Sequence, residues 1–294
     1  MQSWLYQRLP DDLKDAFQIV SSRMRTLDPD RPKLLWLHDQ AKDPEVKFLA
    51  DESARDVFAK LIFVSDWQRD DFNSFFAKPF DNAVVLRNAI EPIADHKKPG
   101  GGVRLIYHTT PHCGLNILYT VFDGLCKMHD DIELDVYSSF KLYGWDHRDE
   151  PFEPLFEACR RHPKIRYHGA VANDEIRRAL TEAHIFAYPS VWRETSCISA
   201  IEALDAKCLM VCPDLAALPE TTAGFARMYP VQQDVQQHAN VFGQTLLDAI
   251  MAVKAGTPQL QEHLVCQKQY FDTHYTWEKR IGEWTSLMRG LLKP

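Results

Sequence analysis

The stretch that decides the fold is HIFAYPSVWRETSCISAIEALDAKCLMVCPDLAALPE, residues 184–220. It opens with a short apolar run that stops at Pro189 and Ser190, and it continues through the polar loop VWRE. A helical pattern, a second apolar run and a loop ending in Pro-Glu follow. Strand, helix and strand in this order are typical of a parallel sheet with helices on its faces.

The same alternation of apolar runs and helical patterns continues on both sides of this stretch. Before residue 91 we predict strands in KLLWLHD, LIFVSDW and AVVLRNAIEP, a further strand in AFQIVSSRM, and helices in SARDVFAKL and QRDDFNSFF. After residue 103 we predict strands in VRLIYHTT, IELDVYSSF, KIRYHG, HIFAYPS, CLMVCPD and FARMYPV. Helices are predicted between these strands, with Asn173 as the N-cap of NDEIRRALTEA, and along the tail. The fold class is therefore predicted to be α/β.

One segment interrupts the alternation, EPIADHKKPGGGV at residues 91–103, which combines proline, paired lysines and three consecutive glycines. This composition is typical of a linker. We therefore predict one domain at residues 1–95, a second at 96–275, and a closing helix at 276–294. Because open parallel sheets bind ligands beyond the carboxyl ends of their strands, the cleft between two such domains is the first place to expect a site.

The composition limits the classes of function. Of the 294 residues, 45% are apolar and 26% are charged, which is ordinary for a globular protein with an ample core. The net charge of −7 argues against nucleic-acid binding and allows at most peripheral contact with anionic membranes. No apolar run approaches the roughly 20 residues that span a bilayer, and the amino-terminal residues lack a signal-peptide layout. Seven cysteines without a C-x-x-C spacing predict reduced thiols in a cytoplasmic protein.

Two acids frame the helix of the opening stretch, Glu194 just before it and Glu202 on it, with seven residues between them. A helix that starts at Thr195 or Ser196 has backbone N–H groups without helical acceptors, which can bind a phosphate. The candidate phosphate-binding residues are Thr195, Ser196, Cys197 and Ile198. At 1.5 Å per residue, Glu202 lies about 9–11 Å further along, where it can accept from two ribose hydroxyls, and Glu194 can accept from a sugar. The alternative is that Glu194 caps the helix and Glu202 faces solvent.

The stretch resembles the retaining glycosyltransferases of family 4, which have the GT-B architecture. The family's donor-domain signature has two glutamates separated by seven residues, a strand ending in Pro-Ser and a loop ending in Pro-Glu. Here these are Pro189, Ser190, Glu194, Glu202, Pro219 and Glu220. The segments KIRYHGAVANDEIRRALTEAHIF, VVLRNAIEP and LIFVSDWQRDDF are similar to other parts of the family. The resemblance implies two Rossmann-like domains facing across a cleft, a short acceptor-side domain and a donor-binding domain, with the last helix packing back on the first.

The resemblance also implies an activity and roles for residues. A sugar would pass from a nucleotide-diphosphate sugar, such as a UDP- or GDP-sugar, to a glycan or lipid-linked acceptor, with retention of configuration and without a metal or other cofactor. In the family, a histidine at the position of His38 reaches the donor sugar, which Glu194 would also position. Residues at the positions of Gly169, Ala170 and Val171 contact the base. Further candidates at the same sheet edge are Ser138, Ser139 and Ser190.

Two departures from the family pattern bear on activity. The family usually has an Arg and a Lys that neutralise the diphosphate, whereas the matching segment YHTTPHCGLNIL has Cys113 where a related subgroup has Arg. Candidate replacements are the side chains of His108, His112 and Arg193, and the backbone N–H groups of Thr110, Cys113 and Gly114. The first domain is also short for the family. Both departures keep a second interpretation open, a catalytically weak or inactive module that binds sugar nucleotides or glycans, or a subunit of a larger assembly.

Overall fold

The computed structural model describes residues 1–23 and 26–292. They form two compact units. The N-terminal unit comprises Met1–Glu91, Glu194–Cys197 and Thr273–Pro294, and the C-terminal unit comprises Pro92–Arg193 and Ile198–Asp272. The chain first passes between the units at Glu91 and Pro92, inside the segment predicted as a linker. The seven cysteines are all free thiols.

The N-terminal unit contains a parallel sheet with the strand order β1-β2-β3-β4. Its strands are β1 (Gln18–Ser21), β2 (Lys33–Trp36), β3 (Phe58–Phe63) and β4 (Ala83–Val85). The helices of its first 91 residues are α1 (Gln2–Arg8), α2 (Asp11–Lys14), α3 (Glu52–Asp56) and α4 (Asp66–Phe75), with a 3₁₀ helix at Pro44–Ala50. β2 and β3 are almost wholly apolar because strands of a parallel sheet are covered on both faces.

The C-terminal unit contains a second parallel sheet, in the order β10-β9-β8-β5-β6-β7. Its strands are β5 (Val103–Tyr107), β6 (Ile132–Val136), β7 (Ile165–Tyr167), β8 (Ile185–Ala187), β9 (Leu209–Pro213) and β10 (Arg227–Tyr229). Its α-helices are α5 (Leu115–Cys126), α6 (Glu153–Arg161), α7 (Asn173–Glu182), α8 (Ile198–Asp205), α9 (Leu218–Thr222), α10 (Val235–Ala255) and α11 (Pro258–His274). Its 3₁₀ helices are Pro111–Cys113, Phe140–Tyr143 and Asp146–Phe152.

This order is the doubly wound order 3-2-1-4-5-6, with β5 as the first strand and β8 as the fourth. The winding reverses between those two strands, so a crevice opens beyond their carboxyl ends. All the strands run in parallel, and the loops that follow β5, β6 and β8 therefore share one edge of the sheet. The topology alone makes this edge the expected ligand site of the C-terminal unit.

The last helix, α12 (Trp277–Leu292), completes the core of the N-terminal unit. Its buried side chains Trp277, Trp284 and Met288 belong to one apolar cluster with α1, α2, β2 and β3. The ring of Trp284 meets the ring of Trp36 edge to face at 5.1 Å, and both side chains are fully buried. This core therefore joins residues that precede Glu91 to residues that follow Thr273.

Several sequence-based boundaries need correction. The helix predicted in SARDVFAKL ends at Asp56, because the chain enters β3 at Phe58 and pairs there with β2. The strand predicted in AVVLRNAIEP is only Ala83–Val85, where it pairs with the end of β3. The strand predicted in AFQIVSSRM is Gln18–Ser21, and Met24 lies outside the described residues. α11 was not predicted as a separate helix.

Candidate functional site

The loop between β5 and α5 is held against the loop that follows β8. Gly114 has φ +110°, a left-handed conformation, and a Cβ atom there would lie 2.3 Å from the carbonyl oxygen of Pro189. Only glycine fits a backbone approach of this kind. Within the loop after β5, the hydroxyl of Tyr107 donates to the carbonyl of Thr110 at 2.8 Å. The two loops that border the switch point are thus fixed to each other.

The backbone N–H groups expected to bind phosphate in this loop are partly used by the turn itself. The N–H of Cys113 donates to the carbonyl of Thr110 at 3.1 Å, and the N–H of Gly114 donates to Pro111. The residues that begin α5, and whose N–H groups have no acceptor within the helix, are Leu115 and Asn116. The Cys113 thiol is buried, 3.5 Å from the Thr110 hydroxyl.

Four buried polar atoms at this edge have no hydrogen-bond partner in the described part of the protein. They are Nε2 of His108, Oγ1 of Thr109, Nδ1 of His112 and Oγ of Ser138, all in loops that follow β5 and β6. A buried polar group without a partner costs about 1–3 kcal/mol, so native proteins rarely keep several together without a reason.

The two histidines of this group are poor cations. Burial lowers the pKa of His108 to about 3, so its imidazole is neutral at neutral pH. Burial also lowers the pKa of His112, and the positive charge of Arg148 lowers it further. A lowered pKa makes each imidazole a poor replacement for the family's phosphate-binding cation. A neutral imidazole can still form a hydrogen bond with a phosphate.

An aromatic group with a guanidinium flanks the edge. The ring of His112 stacks on Phe140 at 5.2 Å and meets Trp192 edge to face at 4.7 Å. The guanidinium of Arg148 lies 4.3 Å from the centre of the Trp145 ring. No carboxylate forms an ion pair with Arg148 among residues 1–23 and 26–292. Its positive charge is therefore available to an anion.

The three serines predicted at this edge have different surroundings. Ser139 donates to Asp149 at 2.5 Å and accepts from the N–H of Lys141, so it caps a 3₁₀ helix. Ser190 is fully buried and bonds both backbone polar groups of Trp192, so it shapes its own turn. Ser138 is the one of the three with a hydroxyl that lacks a partner in the described chain. Of the three hydroxyls, that of Ser138 is therefore the one that the described residues leave unused.

The predicted base-contacting residues follow β7. Gly169 has φ +69° and begins the turn that continues through Ala170 and Val171 to α7. The strand before it is tied to its neighbour, because the Tyr167 hydroxyl donates to the carbonyl of Ser138 at 2.8 Å. The turn therefore lies at the same edge as the loops after β5 and β6.

Glu202 is a buried acid on α8, with a side chain held from α7. The Nδ2 of Asn173 donates to Oε1 of Glu202 at 2.9 Å, and Nη1 of Arg177 lies 3.5 Å from the same oxygen. Burial raises the pKa of Glu202, and the contacts with Asn173 and Arg177 oppose that rise. Oε2 makes no hydrogen bond within the described residues. Glu202 is only 6% exposed, so the alternative of a solvent-facing helix residue is wrong.

Asn173 and Arg177 are site residues that the sequence analysis missed. Asn173 was predicted to be the N-cap of α7, whereas the N-cap is Ala172 and Asn173 is the first helical residue. The two side chains are four residues apart and therefore share one face of α7. The sequence did contain a signal for this contact. Asn173 and Arg177 lie one helical turn apart, shortly before the stretch that carries Glu194 and Glu202, and both side chains can donate to a carboxylate.

The helix that carries Glu202 starts later than expected. α8 begins at Ile198, so the first N–H groups without helical acceptors are those of Ile198, Ser199 and Ala200. Ser196 and Cys197 precede the helix, and Cys197 has φ +51°. The hydroxyl of Ser199 donates to the carbonyl of His108 at 3.3 Å, which fixes the start of α8 beside the loop after β5.

Thr195 does not cap that helix. The segment Glu194–Cys197 belongs to the N-terminal unit, where the Thr195 hydroxyl donates to the carbonyl of His38 at 2.9 Å. The Ser65 hydroxyl donates to the carbonyl of Thr195 at 2.6 Å. Thr195 thus ties the segment to the loops after β2 and β3, and Glu194, which is partly buried, is placed by this attachment.

His38 follows β2 at the carboxyl edge of the first sheet. Its N–H donates to the Ser22 hydroxyl at 2.8 Å, and its ring lies 4.6 Å from the ring of Trp36. Burial lowers its pKa to about 4, with a further contribution from the amino-terminal charge. The ring is therefore neutral at neutral pH and can exchange hydrogen bonds with sugar hydroxyls.

No helix among residues 1–23 and 26–292 is long and apolar enough to cross a membrane. Within the same residues, no group of three or more His, Cys, Asp or Glu side chains is arranged to hold a metal ion.

The sequence comparison finds a match over the region that contains this edge. Residues 110–248 match the family model described as "Glycosyl transferases group 1". The matched region begins at the loop after β5 and includes Ser138, Gly169, Glu194 and Glu202. It is slightly less than half of the chain. No curated protein sequence matches the chain.

The chain is also similar in structure to solved glycosyltransferases. A glycosyltransferase from Rickettsia africae superposes with a TM-score of 0.71 at 14% identity, covering 94% of this chain and 77% of that one. The pneumococcal O-GlcNAc transferase GtfA, in complex with UDP and GlcNAc, gives 0.67 at 10% identity, covering 90% and 53%. HepE of Anabaena, in complex with UDP-glucose, gives 0.63 at 13% identity, covering 89% and 72%. This chain thus spans about half of GtfA. These likenesses confirm the fold class, an α/β fold of the GT-B type.

Proposed function

We propose that the protein is a glycosyltransferase that moves a sugar from a nucleotide-diphosphate sugar to an acceptor with retention of configuration and without a metal. The observation that carries the proposal is the buried carboxylate of Glu202, on a helix that begins at the switch-point edge. One of its oxygens is held by side chains of α7, and the other makes no hydrogen bond within the described chain. A carboxylate of this kind can accept from both hydroxyls of a ribose. The complexes of GtfA with UDP and of HepE with UDP-glucose favour a uridine nucleotide.

The leaving diphosphate would be stabilised by hydrogen-bond donors and by a guanidinium. The start of α8 supplies the N–H groups of Ile198, Ser199 and Ala200, and a helix start also carries a partial positive charge. We assign the missing cation to Arg148, which lies on Trp145 without a carboxylate partner in the described chain and whose charge reaches His112. Donors placed where negative charge develops stabilise a transition state.

The reaction would proceed on one face of the sugar. The bond between the anomeric carbon and the diphosphate oxygen breaks, and the diphosphate leaves with the electron pair. The acceptor oxygen forms its bond to the same carbon from the same face and passes its proton to a phosphate oxygen. In this proposal His38 and Glu194 hold the sugar hydroxyls, and Glu202 holds the ribose. A glycan or lipid-linked hydroxyl is the proposed acceptor.

A donor screen tests the binding part of the proposal. UDP-, GDP- and ADP-sugars are added to the protein, and the melting temperature is measured, because a ligand that binds only the folded state raises it. We expect a shift with at least one donor and a loss of about 10–100-fold in its affinity in Glu202→Ala. The control Glu175→Ala removes an exposed acid from α7 and should bind the donor normally. Unchanged binding in Glu202→Ala would contradict the ribose role.

The second candidate function is a sugar-nucleotide-binding module without turnover. It is favoured by the loop after β5, which has Cys113 where a related subgroup of the family has Arg, and in which burial lowers the pKa of both His108 and His112. Calorimetry combined with a hydrolysis and transfer assay separates the candidates. Turnover with a product of the donor's anomeric configuration supports the retaining enzyme, an inverted product contradicts retention, and binding without any turnover supports the module.

A further inference from the structure

A cavity lies at the edge of the C-terminal sheet opposite to the candidate donor site. It has a volume of about 500 Å³ and is lined by the segment His96–Val103, by His184 and Lys207, and by α10 and α11. Val103 begins β5, His184 directly precedes β8, and Lys207 precedes β9. The cavity is therefore at the amino ends of the strands, whereas the candidate donor site is at their carboxyl ends.

The charged residues that line this cavity are all basic: Lys97, Lys98, Lys207 and Lys254. Lys207 is paired with Asp95 at 2.7 Å and Lys254 with Asp131 at 2.5 Å. Lys98 is different, because among residues 1–23 and 26–292 its Nζ hydrogen-bonds with the carbonyl of Leu180 at 2.6 Å and the sulfur of Cys208 at 3.5 Å and with no carboxylate.

No carboxylate pairs with Lys98 or Lys97 within the part of the chain that the structure describes. Burial of the Lys98 side chain lowers its pKa. A partly buried ammonium without a counter-charge is costly, and an anion in the cavity would supply that charge.

A glycine turn adds hydrogen-bond donors beside the two lysines. Gly100, Gly101 and Gly102 line the cavity, and their N–H groups make no hydrogen bond to any described residue. Gly101 has φ +104°, and a Cβ atom on Gly102 would lie 2.4 Å from the carbonyl oxygen of Asp131. The turn therefore needs glycine for its backbone, and successive unbonded N–H groups of this kind bind phosphate.

The far wall of the cavity is apolar. It is formed by Val253 of α10 and by Leu260, Leu264 and Val265 of α11. Val265 is 49% exposed although it lines a cavity. An inorganic anion would leave this wall in water, whereas an anion with an apolar substituent would cover it.

We propose that this cavity is a second ligand site, which binds a phosphate monoester with an apolar substituent. Lys97, Lys98 and the glycine turn hold the phosphate, and α10 and α11 cover the substituent. The site is independent of the donor edge, so it can carry an effector or a second substrate without competing with a nucleotide sugar.

Calorimetry with n-hexyl phosphate, inorganic phosphate and 1-hexanol tests the proposal on the whole chain. We expect n-hexyl phosphate to bind at least about tenfold more tightly than inorganic phosphate or 1-hexanol. Of the three compounds, it alone has both a phosphate for the lysines and the glycine turn and an alkyl chain for the apolar wall. Equal affinity for inorganic phosphate would mean an adventitious ion only and would overturn the proposal, as would absence of n-hexyl phosphate binding.

Variants separate this cavity from the donor edge. Lys97→Met removes an exposed lysine, and Val265→Asp places an acid on the apolar wall, so neither disturbs the core. We expect each to weaken n-hexyl phosphate binding about tenfold or more, while Lys127→Met, an exposed lysine outside the cavity, leaves it unchanged. If both cavity variants bind n-hexyl phosphate with unchanged affinity, the proposed site is wrong. Donor binding should survive in both, which separates this test from that of the proposed function.

Discussion

Glu202 has two neighbours on α7 that set both its position and its charge. Asn173 and Arg177 contact the same oxygen, and together they oppose the rise in pKa that burial causes. The ionised carboxylate accepts hydrogen bonds at both oxygens, whereas protonation turns one of its oxygens into a donor and removes its negative charge. Loss of either neighbour should therefore affect nucleotide binding even though neither is proposed to touch the nucleotide.

We expect Asn173→Ala to weaken nucleotide binding about tenfold and to raise the pH below which binding is lost, because the pKa of Glu202 then rises further. Calorimetry between pH 5 and pH 8 measures both effects. The neighbouring substitution Asp174→Ala, at an exposed position, is the control. A weakened affinity with an unmoved pH profile would show that Asn173 acts on the structure of α7 and not on the acid.

The buried imidazole of His108 predicts how the free energy of unfolding changes at acid pH. Its folded-state pKa is about 3, while an unfolded histidine titrates near 6.5. Between these values the unfolded chain binds a proton that the folded chain does not, so the free energy of unfolding falls as the pH drops from 6.5 toward 3. In His108→Asn, the loss between pH 7 and pH 4.5 should be smaller by about 2–3 kcal/mol.

Hydrogen exchange of peptides from β5 and β6 can follow this effect within the C-terminal unit. The variant also keeps a polar side chain at the position, so its stability at pH 7 is the reference for each measurement. Parallel pH slopes in the two proteins would mean that His108 is not the neutral buried imidazole that the structure describes.

At the scale of elements, the contact between the loops after β5 and β8 depends on Gly114. Ala at this position meets both an unfavourable φ and the carbonyl oxygen of Pro189. We expect Gly114→Ala to lower the free energy of unfolding by about 2–4 kcal/mol and to weaken donor binding as the two loops separate. Urea unfolding and calorimetry measure the two effects.

Gly124→Ala is the matched control for that substitution. Gly124 lies on the same chain segment, inside α5, and a Cβ atom there has no heavy atom within 4 Å. Alanine should stabilise the helix by about 0.5–1 kcal/mol. If Gly114→Ala and Gly124→Ala lower the free energy of unfolding equally, the loss comes from a change in α5 and not from the contact between the loops.

The alternating apolar runs predicted the order and the type of most elements, because parallel strands covered on both faces are short and almost wholly apolar. They could not predict where α8 starts. Thr195 is a good N-cap residue by type, yet its hydroxyl bonds the carbonyl of His38, 157 positions away in the chain. A hydrogen bond over such a separation leaves no local pattern in the sequence.

The contacts of the predicted site also could not be predicted from local sequence patterns. Glu202 was identified from its spacing to Glu194, but its burial and its contact with Asn173 depend on how α7 and α8 pack. Ser138 and Ser139 look alike in the sequence, and only the position of Asp149 decides which hydroxyl is used structurally. The assignment of ligand roles to these residues stays a prediction.

At the scale of the whole molecule, the N-terminal unit is built from the two ends of the chain. Met1–Glu91 supplies the sheet, and α12 supplies Trp277, Trp284 and Met288 to its core. Trp284 is fully buried against Trp36. The stability of this unit therefore depends on α12, which is far in sequence from the strands that it covers.

Trp284→Ala tests this dependence. Removal of a buried aromatic side chain should cost about 3–5 kcal/mol, and we expect the cost to fall on the N-terminal unit because the ring belongs to the apolar core of that unit. We expect amide hydrogen exchange to accelerate in β1–β4 and to remain slow in β5–β10. Met251→Ala, at a half-exposed position on α10, should leave both sheets protected. Equal acceleration in both sheets would mean that the two units unfold as one cooperative body, in which case a nucleotide sugar bound at the C-terminal sheet would also protect β1–β4.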